Sequence, residues 1–123
     1  MPKTIKQVLK KNKTFAVNGR LWIECNGKRF FGPGPFELLE RIDATGSINQ
    51  AAKQMNMSYK KAWEIINTLN EHAARPFVIT QTGGSRGGGS VVSDEAKELI
   101  TYYRLLKNRF TTFLGKETKN LLS

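Results

Sequence analysis

Apolar residues recur at helical spacing through the middle of the chain. Ile48, Ala51, Ala52 and Met55 fall at i, i+3, i+4 and i+7, which is one narrow apolar face. Two of the four are alanines, so a second helix can approach closely. Asn56-Met57 makes the turn, and Ser58 is placed to cap the next helix. Tyr59, Ala62, Ile66, Leu69 and Ala73 then form an inner stripe, with Trp63 and Ile65 at its flanks. Lys60, Lys61, Glu64, Asn67 and Thr68 face outward, and Arg75-Pro76 stops the helix. The pattern predicts a helix-turn-helix.

The flanks extend this motif. Residues 20–31 alternate around Asn26-Gly27, the strongest short signal for a β-hairpin. Gly32-Pro33-Gly34-Pro35 is a break, from which a helix begins with Pro35 near its first turn. Phe36, Leu38, Leu39 and Ile42 give that helix a buried stripe, Gly46 ends it and Ser47 caps the next. Residues 77–81 are β-rich, 82–89 form a glycine-rich loop holding Ser85 and Arg86, and 90–92 read as a return strand. Together they predict a wing.

The last helix begins at Ser93, with Asp94 and Glu95 in its first turn, where the helix dipole favours acids. Ala96, Leu99, Tyr103, Leu106, Phe110 and Phe113 are spaced three, four, three, four, three, and Ile100 and Tyr102 widen the stripe. Such a heptad seam predicts a dimerisation helix. The expected fold is mainly α with a small β component: a winged helix-turn-helix with an N-terminal β-hairpin and a long C-terminal dimerisation helix. The expected divisions are a basic arm over 1–18, the winged domain over 19–92, and the helix and tail over 93–123. A plain three-helix core is the competing architecture. No internal repeat is visible.

Charge sharpens the picture. The 123 residues carry 20 Lys+Arg against 10 Asp+Glu, a net charge of +10. Such a balance favours a polyanion, nucleic acid before an anionic membrane. Lys3, Lys6, Lys10, Lys11 and Lys13 stand in the first eighteen residues with no acid among them. That segment reads as a solvated tail, or as an arm adding phosphate contacts. A single cysteine, Cys25, rules out an intramolecular disulfide and any multi-cysteine metal site, and fits a reducing cytoplasm. No apolar run has the length of a transmembrane helix, so no membrane association is expected.

Double-stranded DNA is therefore the expected partner. The residues 58–73 helix would enter the major groove by its N-terminal end. Ser47, Ser58 and Tyr59 suit phosphate or base-edge hydrogen bonds. Lys60 and Lys61 can reach guanine acceptors or phosphates, with Asn67 further along. Ser85 and Arg86 on the wing would meet the backbone or an adjacent minor groove. Tyr59 has a second reading as core, since it begins the inner stripe. Trp63 reads as packing, and Trp22 as packing at a subunit contact or on the last helix.

Enzyme chemistry has little to stand on. His72 is the lone histidine and reads as a capping or surface residue. Cys25 has no histidine near it in sequence. The glycine-rich loop lacks the Gly-Lys-Ser/Thr ending of a P-loop. Glu37, Glu40 and Asp43 are spaced as a solvated helix face. No metal and no cofactor are expected.

These residues also carry a family likeness. Gly19-Arg20-Leu21-Trp22-Ile23-Glu24, Gly32-Pro33-Gly34 and the run from Glu37 to Ile48 resemble the N-terminal domain of the ModE family, the bacterial molybdate-responsive transcription regulators. The resemblance continues through Gln50-Ala51-Ala52-Lys53, Met57-Ser58-Tyr59-Lys60, Ala62-Trp63, Arg75-Pro76, and the wing Thr82-Gly83-Gly84 with Gly87-Gly88-Gly89. It covers about residues 19–105. It implies a LysR-like winged helix, a homodimer and a palindromic operator, with recognition helices about 34 Å apart. Such regulators carry a molybdate-binding region of two small β-barrels, and residues 106–123 hold no strand series that could build one. Direct molybdate binding is thus not expected. The options are constitutive action, a separate effector protein, or a fragment of a longer regulator. A non-specific nucleoid-associated or protein-interaction module is the alternative function.

Overall fold

The computed structural model describes residues 4–81 and 89–123. In chain order the elements are α1 (Ile5–Val8), β1 (Ile23–Cys25), β2 (Lys28–Phe31), α2 (Pro33–Thr45), α3 (Ile48–Gln54), α4 (Tyr59–His72), β3 (Val78–Gln81), β4 (Gly89–Val92) and α5 (Asp94–Leu122). They form two compact units: Trp22–Tyr103, and Met1–Leu21 with Arg104–Ser123. The first is a winged helix-turn-helix-like fold, mainly helical with two small antiparallel sheets.

β1 and β2 meet across Asn26-Gly27, whose φ values of 53° and 79° are those a tight hairpin turn demands. The register pairs Ile23 with Phe31 and Glu24 with Arg29, so Phe30 is an extra residue. This bulge lets both Phe30 and Phe31 reach the interior. Phe31 is fully buried, edge-on to Phe36 and Tyr103, and Phe30 lies against His72 and Phe77.

α2 begins within the Gly-Pro-Gly-Pro stretch, with Gly32 as its cap and Pro33 and Pro35 both in its first turn, as the sequence suggests. Proline is tolerated there because its missing N–H would lack an intrahelical partner anyway. Phe36, Leu38, Leu39 and Ile42 are buried, and Gly46, at φ 70°, closes the helix by donating its N–H to Ile42 O. Ser47 Oγ accepts the Gln50 N–H and Ser58 Oγ accepts the Lys61 N–H, so both predicted caps form. Between them Asn56 takes φ 53° to make the turn.

α3 buries Ile48, Ala51 and Ala52, and α4 buries Ala62, Ile66 and Leu69. Tyr59 departs from its reading as core: it is 51% exposed. It sits in the first turn of α4, before Ala62 makes the first core contact, and its ring packs edge-on against Trp63 at 6.2 Å. The helix ends at His72, ahead of Arg75-Pro76, with Ala73 as its cap.

β3 and β4 pair antiparallel, Val78 with Val92 through Gln81 with Gly89. Hydrogen bonds from two sites tie the described wing base to the helical part. Asn70 of α4 accepts the N–H groups of Phe77 and Val78 through Oδ1, at 2.8 and 3.2 Å, and donates to Val78 O at 3.3 Å. Ser90 N–H donates to Gly46 O at 3.0 Å. Ser93 Oγ accepts the Ala96 N–H at the start of α5. Ala96, Ile100 and Tyr103 are buried in this unit's own core, with Leu99 half-buried beside them. Trp22 is accounted for within the hairpin: its indole N–H donates to Glu24 and the Arg29 guanidinium stacks over its ring at 3.6 Å.

In the other unit, the N-terminal segment is more than a solvated tail. Val17 N–H donates to Thr118 Oγ1 at 2.9 Å, and a Cβ at Gly19 would stand 3.2 Å from the Phe110 ring. Glycine there admits the ring. Phe110 stacks on Phe113, which is 54% exposed, while Leu106 is half-buried. Lys6, Lys10, Lys11 and Lys13 remain exposed.

Candidate nucleic-acid interface

The first turn of α4 is where the sequence-predicted residues converge. A helix leaves its first N–H groups without intrahelical partners, and Ser58 satisfies one of them. Lys60 and Lys61 are exposed and form no ion pair among the described residues, unlike Arg41 with Glu37, Arg75 with Glu95 and Lys97 with Asp43. Both ammonium groups are thus available to an anion. Asn67 is exposed two turns further along, and Thr68 is occupied by donating to Glu64 O. Ser47 is half-buried and, like Ser58, engaged as a cap acceptor, which leaves each hydroxyl hydrogen available to donate. Ser85 and Arg86 lie outside the described residues.

Two concavities flank α4. On the wing side a cleft of about 280 Å³ is lined by Ser47 and Asn49 from α3, Tyr59 and Trp63 from α4, and Thr80, Gln81 and Ser90 from the strands. Among the described residues its walls are mainly hydrogen-bonding and carry no charged side chain. Asn49, Trp63, Thr80, Gln81 and Ser90 were not singled out for such a role by sequence reasoning. Trp63 does pack on the core as expected, and it also lines this cleft. Polar residues in a short exposed strand carry no signal of what they face; only the docking of the wing on Asn70 and Gly46 brings them beside α4. On the opposite side a groove of about 280 Å³ runs between the hairpin and α4, lined by Arg29, Phe30, Lys61, Glu64, Ile65 and Thr68 among others.

Groups with other chemistry lie elsewhere. Among the described residues no three His, Cys, Asp or Glu side chains gather to hold a metal ion. His72 Nδ1 sits 2.9 Å from Thr68 O, an exposed local contact. Cys25 is half-buried in β1. Burial raises the Tyr103 hydroxyl above its ordinary pKa of 10.0, well away from α4's first turn in the chain. No helix of the described residues is long and apolar enough to cross a membrane.

No family model matches the chain. Comparison with curated proteins is informative. It is 39% identical over 84 residues to the molybdenum transport protein ModE of Azotobacter vinelandii, which covers 68% of this chain and 31% of that protein. It is 40% identical over 86 residues to the DNA-binding transcriptional dual regulator ModE of Escherichia coli K12, covering 70% of this chain and 33% of the regulator. To the molybdenum-pterin-binding protein MopB of Rhodobacter capsulatus it is 34% identical over 99 residues, 80% of this chain and 36% of the other. The chain spans about a third of the length of these relatives. The Escherichia coli relative is, by its name, a DNA-binding transcriptional regulator. With the helix-turn-helix, its wing and these identities together, the chain is homologous to the ModE family of transcriptional regulators, through a ModE-like domain that covers about 70% of it.

Proposed function

We propose that this protein is a sequence-specific DNA-binding transcription regulator that acts as a homodimer on a palindromic operator. The observation that carries the proposal is α4: a Ser58-capped helix that presents Tyr59, Lys60 and Lys61 to solvent, with the wing base latched alongside it. In this reading the first turn of α4 enters the major groove, with Lys60 and Lys61 reaching base edges or phosphates and Asn67 deeper along the helix. The wing-side cleft receives the sugar–phosphate backbone, where Tyr59, Thr80 and Gln81 offer donors. A partner of this kind places the protein with the chromosome in the cytoplasm.

Pairing is assigned to the exposed side of α5. Ala96, Ile100 and Tyr103 are occupied within their own unit, so they are left out of the contact. Of the other seam residues Leu99, Leu106 and Phe110 are half-buried and Phe113 is exposed; Phe113 is assigned to the contact with Leu105, at 55% exposure, beside a groove of about 400 Å³ lined by Leu105, Asn108, Arg109 and Thr112. The names of the relatives point to molybdenum metabolism as the regulated process. We assign DNA reading and pairing to these residues, and no molybdate site.

The test is selection of bound fragments from genomic DNA at about 0.15 M salt against excess random duplex. A shared inverted repeat is expected, with genes for molybdenum handling beside it. Fragments without a common sequence would replace the proposal with a non-specific nucleoid-associated module. On the selected operator, Lys60→Ala is expected to relax sequence preference, whereas Lys10→Ala lowers binding to operator and random duplex alike. Equal losses for both variants on both duplexes would remove Lys60 from base reading.

A further inference from the structure

The groove opposite the wing has features the helix-turn-helix does not require. Arg29 is exposed on β2, yet its guanidinium is held in place, stacked 3.6 Å over the Trp22 ring. Trp22 is itself fixed by donating its indole N–H to Glu24 at 3.1 Å. Glu24 faces Arg29 across the strand register, but its carboxylate is engaged with the indole, and Arg29 forms no ion pair among the described residues. The same groove is lined from α4 by Lys61, equally without an ion pair. Glu64, also on α4, is the acid that lines it.

Holding a long cationic side chain over a ring lowers the entropy it must lose when it grips an anion. A planar guanidinium suits a phosphodiester, since it can present two N–H groups to the two free oxygens. An ammonium from a second element on the same groove adds a point charge. Arg29 is not needed to complete the core at this position, because its neighbours Phe30 and Phe31 on the same strand carry the packing. The position also matters: the groove borders α4 on the side away from the wing, so a duplex engaged by α4 brings a strand of its backbone to each flank.

We infer that the β1–β2 hairpin is a second backbone clamp, in which Arg29, together with Lys61, grips a phosphate of the DNA duplex on the flank of α4 opposite the wing. The inference rests on the DNA-reading function proposed above. The clamp adds affinity without sequence preference, and it fixes the angle at which α4 lies in the groove.

The test is the salt dependence of binding, measured with the full chain on the selected operator duplex and on a random duplex of equal length. Each phosphate contact contributes about 0.9 to the slope of log K against log salt on B-form DNA. Arg29→Gln is expected to lower the slope by about 0.9 per bound protomer and to weaken both duplexes by the same factor, about tenfold for a charged hydrogen bond. Arg29→Lys is expected to restore the slope while recovering only part of the affinity. Lys28→Gln, on the same hairpin but outside the groove, is expected to leave the slope at the unmodified value. An unchanged slope in Arg29→Gln, or an equal fall in Lys28→Gln, would overturn the clamp while leaving the DNA reading intact. Failure of the unmodified protein to prefer the operator would instead strike the reading itself.

Discussion

Asn70 ties the reading helix to the wing with one side chain. Its three hydrogen bonds join α4 to the backbone of Phe77 and Val78. Asn70→Ala leaves two N–H groups without partners and is expected to cost about 1–3 kcal/mol, measured by urea unfolding. Asn70→Asp keeps the acceptor oxygen and is expected to lose less. A second residue-scale effect comes from Tyr103. Burial raises its folded-state pKa above that of the unfolded chain, so its neutral form is favoured in the fold. That contribution is complete below about pH 10 and is lost as pH rises through the folded-state value. Unfolding free energy should therefore fall more steeply in alkali than for Tyr103→Phe, which has no proton to lose there; parallel pH profiles would refute the assignment. Asn70 could not be singled out in the sequence, where it is one polar residue near a helix end. Ser47 and Ser58 could, because capping is a local demand of the backbone.

At the scale of elements, the cap of α4 separates stability from binding. Ser58→Ala removes the acceptor for the Lys61 N–H and is expected to destabilise by about 1 kcal/mol. Ser58→Asp supplies an equally good cap and favours the helix dipole, yet sets a negative charge at the proposed DNA contact. It is expected to keep the melting temperature and to lose operator binding, as thermal unfolding and a gel-shift titration would show. Loss of both together would mean that Ser58 acts only through folding. The hairpin, helices and strands were legible because period-two and helical alternation, an Asn-Gly turn and serine caps are local signals. Two features were not. The bulge at Phe30 depends on two rings finding the core together, and the exposure of Tyr59 depends on where the core stops along α4.

At the scale of the molecule, the charge of +10 predicts attraction to DNA, and the apolar side of α5 predicts pairing. Leu105→Lys with Phe113→Lys is expected to shift sedimentation from dimer to monomer at micromolar concentration with the helix content preserved. A dimer surviving both changes would place the contact elsewhere. The heptad spacing along α5 was plain in the sequence, but spacing tells only that a face is apolar. Ala96, Ile100 and Tyr103 are buried inside their own unit, whereas Phe113 of the seam, and Leu105 outside it, are exposed. Likewise the basic N-terminal run was visible, while the hydrogen bond of Val17 to Thr118 joins positions about a hundred residues apart. By itself the sequence determined the order of elements, their caps and turns, the excess of positive charge and the family likeness, because each depends on neighbours along the chain. Only the tertiary structure decided which apolar faces are buried, that Asn70 and Gly46 hold the wing base, and that Arg29 stands over Trp22 beside α4. Those outcomes depend on which distant surfaces meet when the core closes.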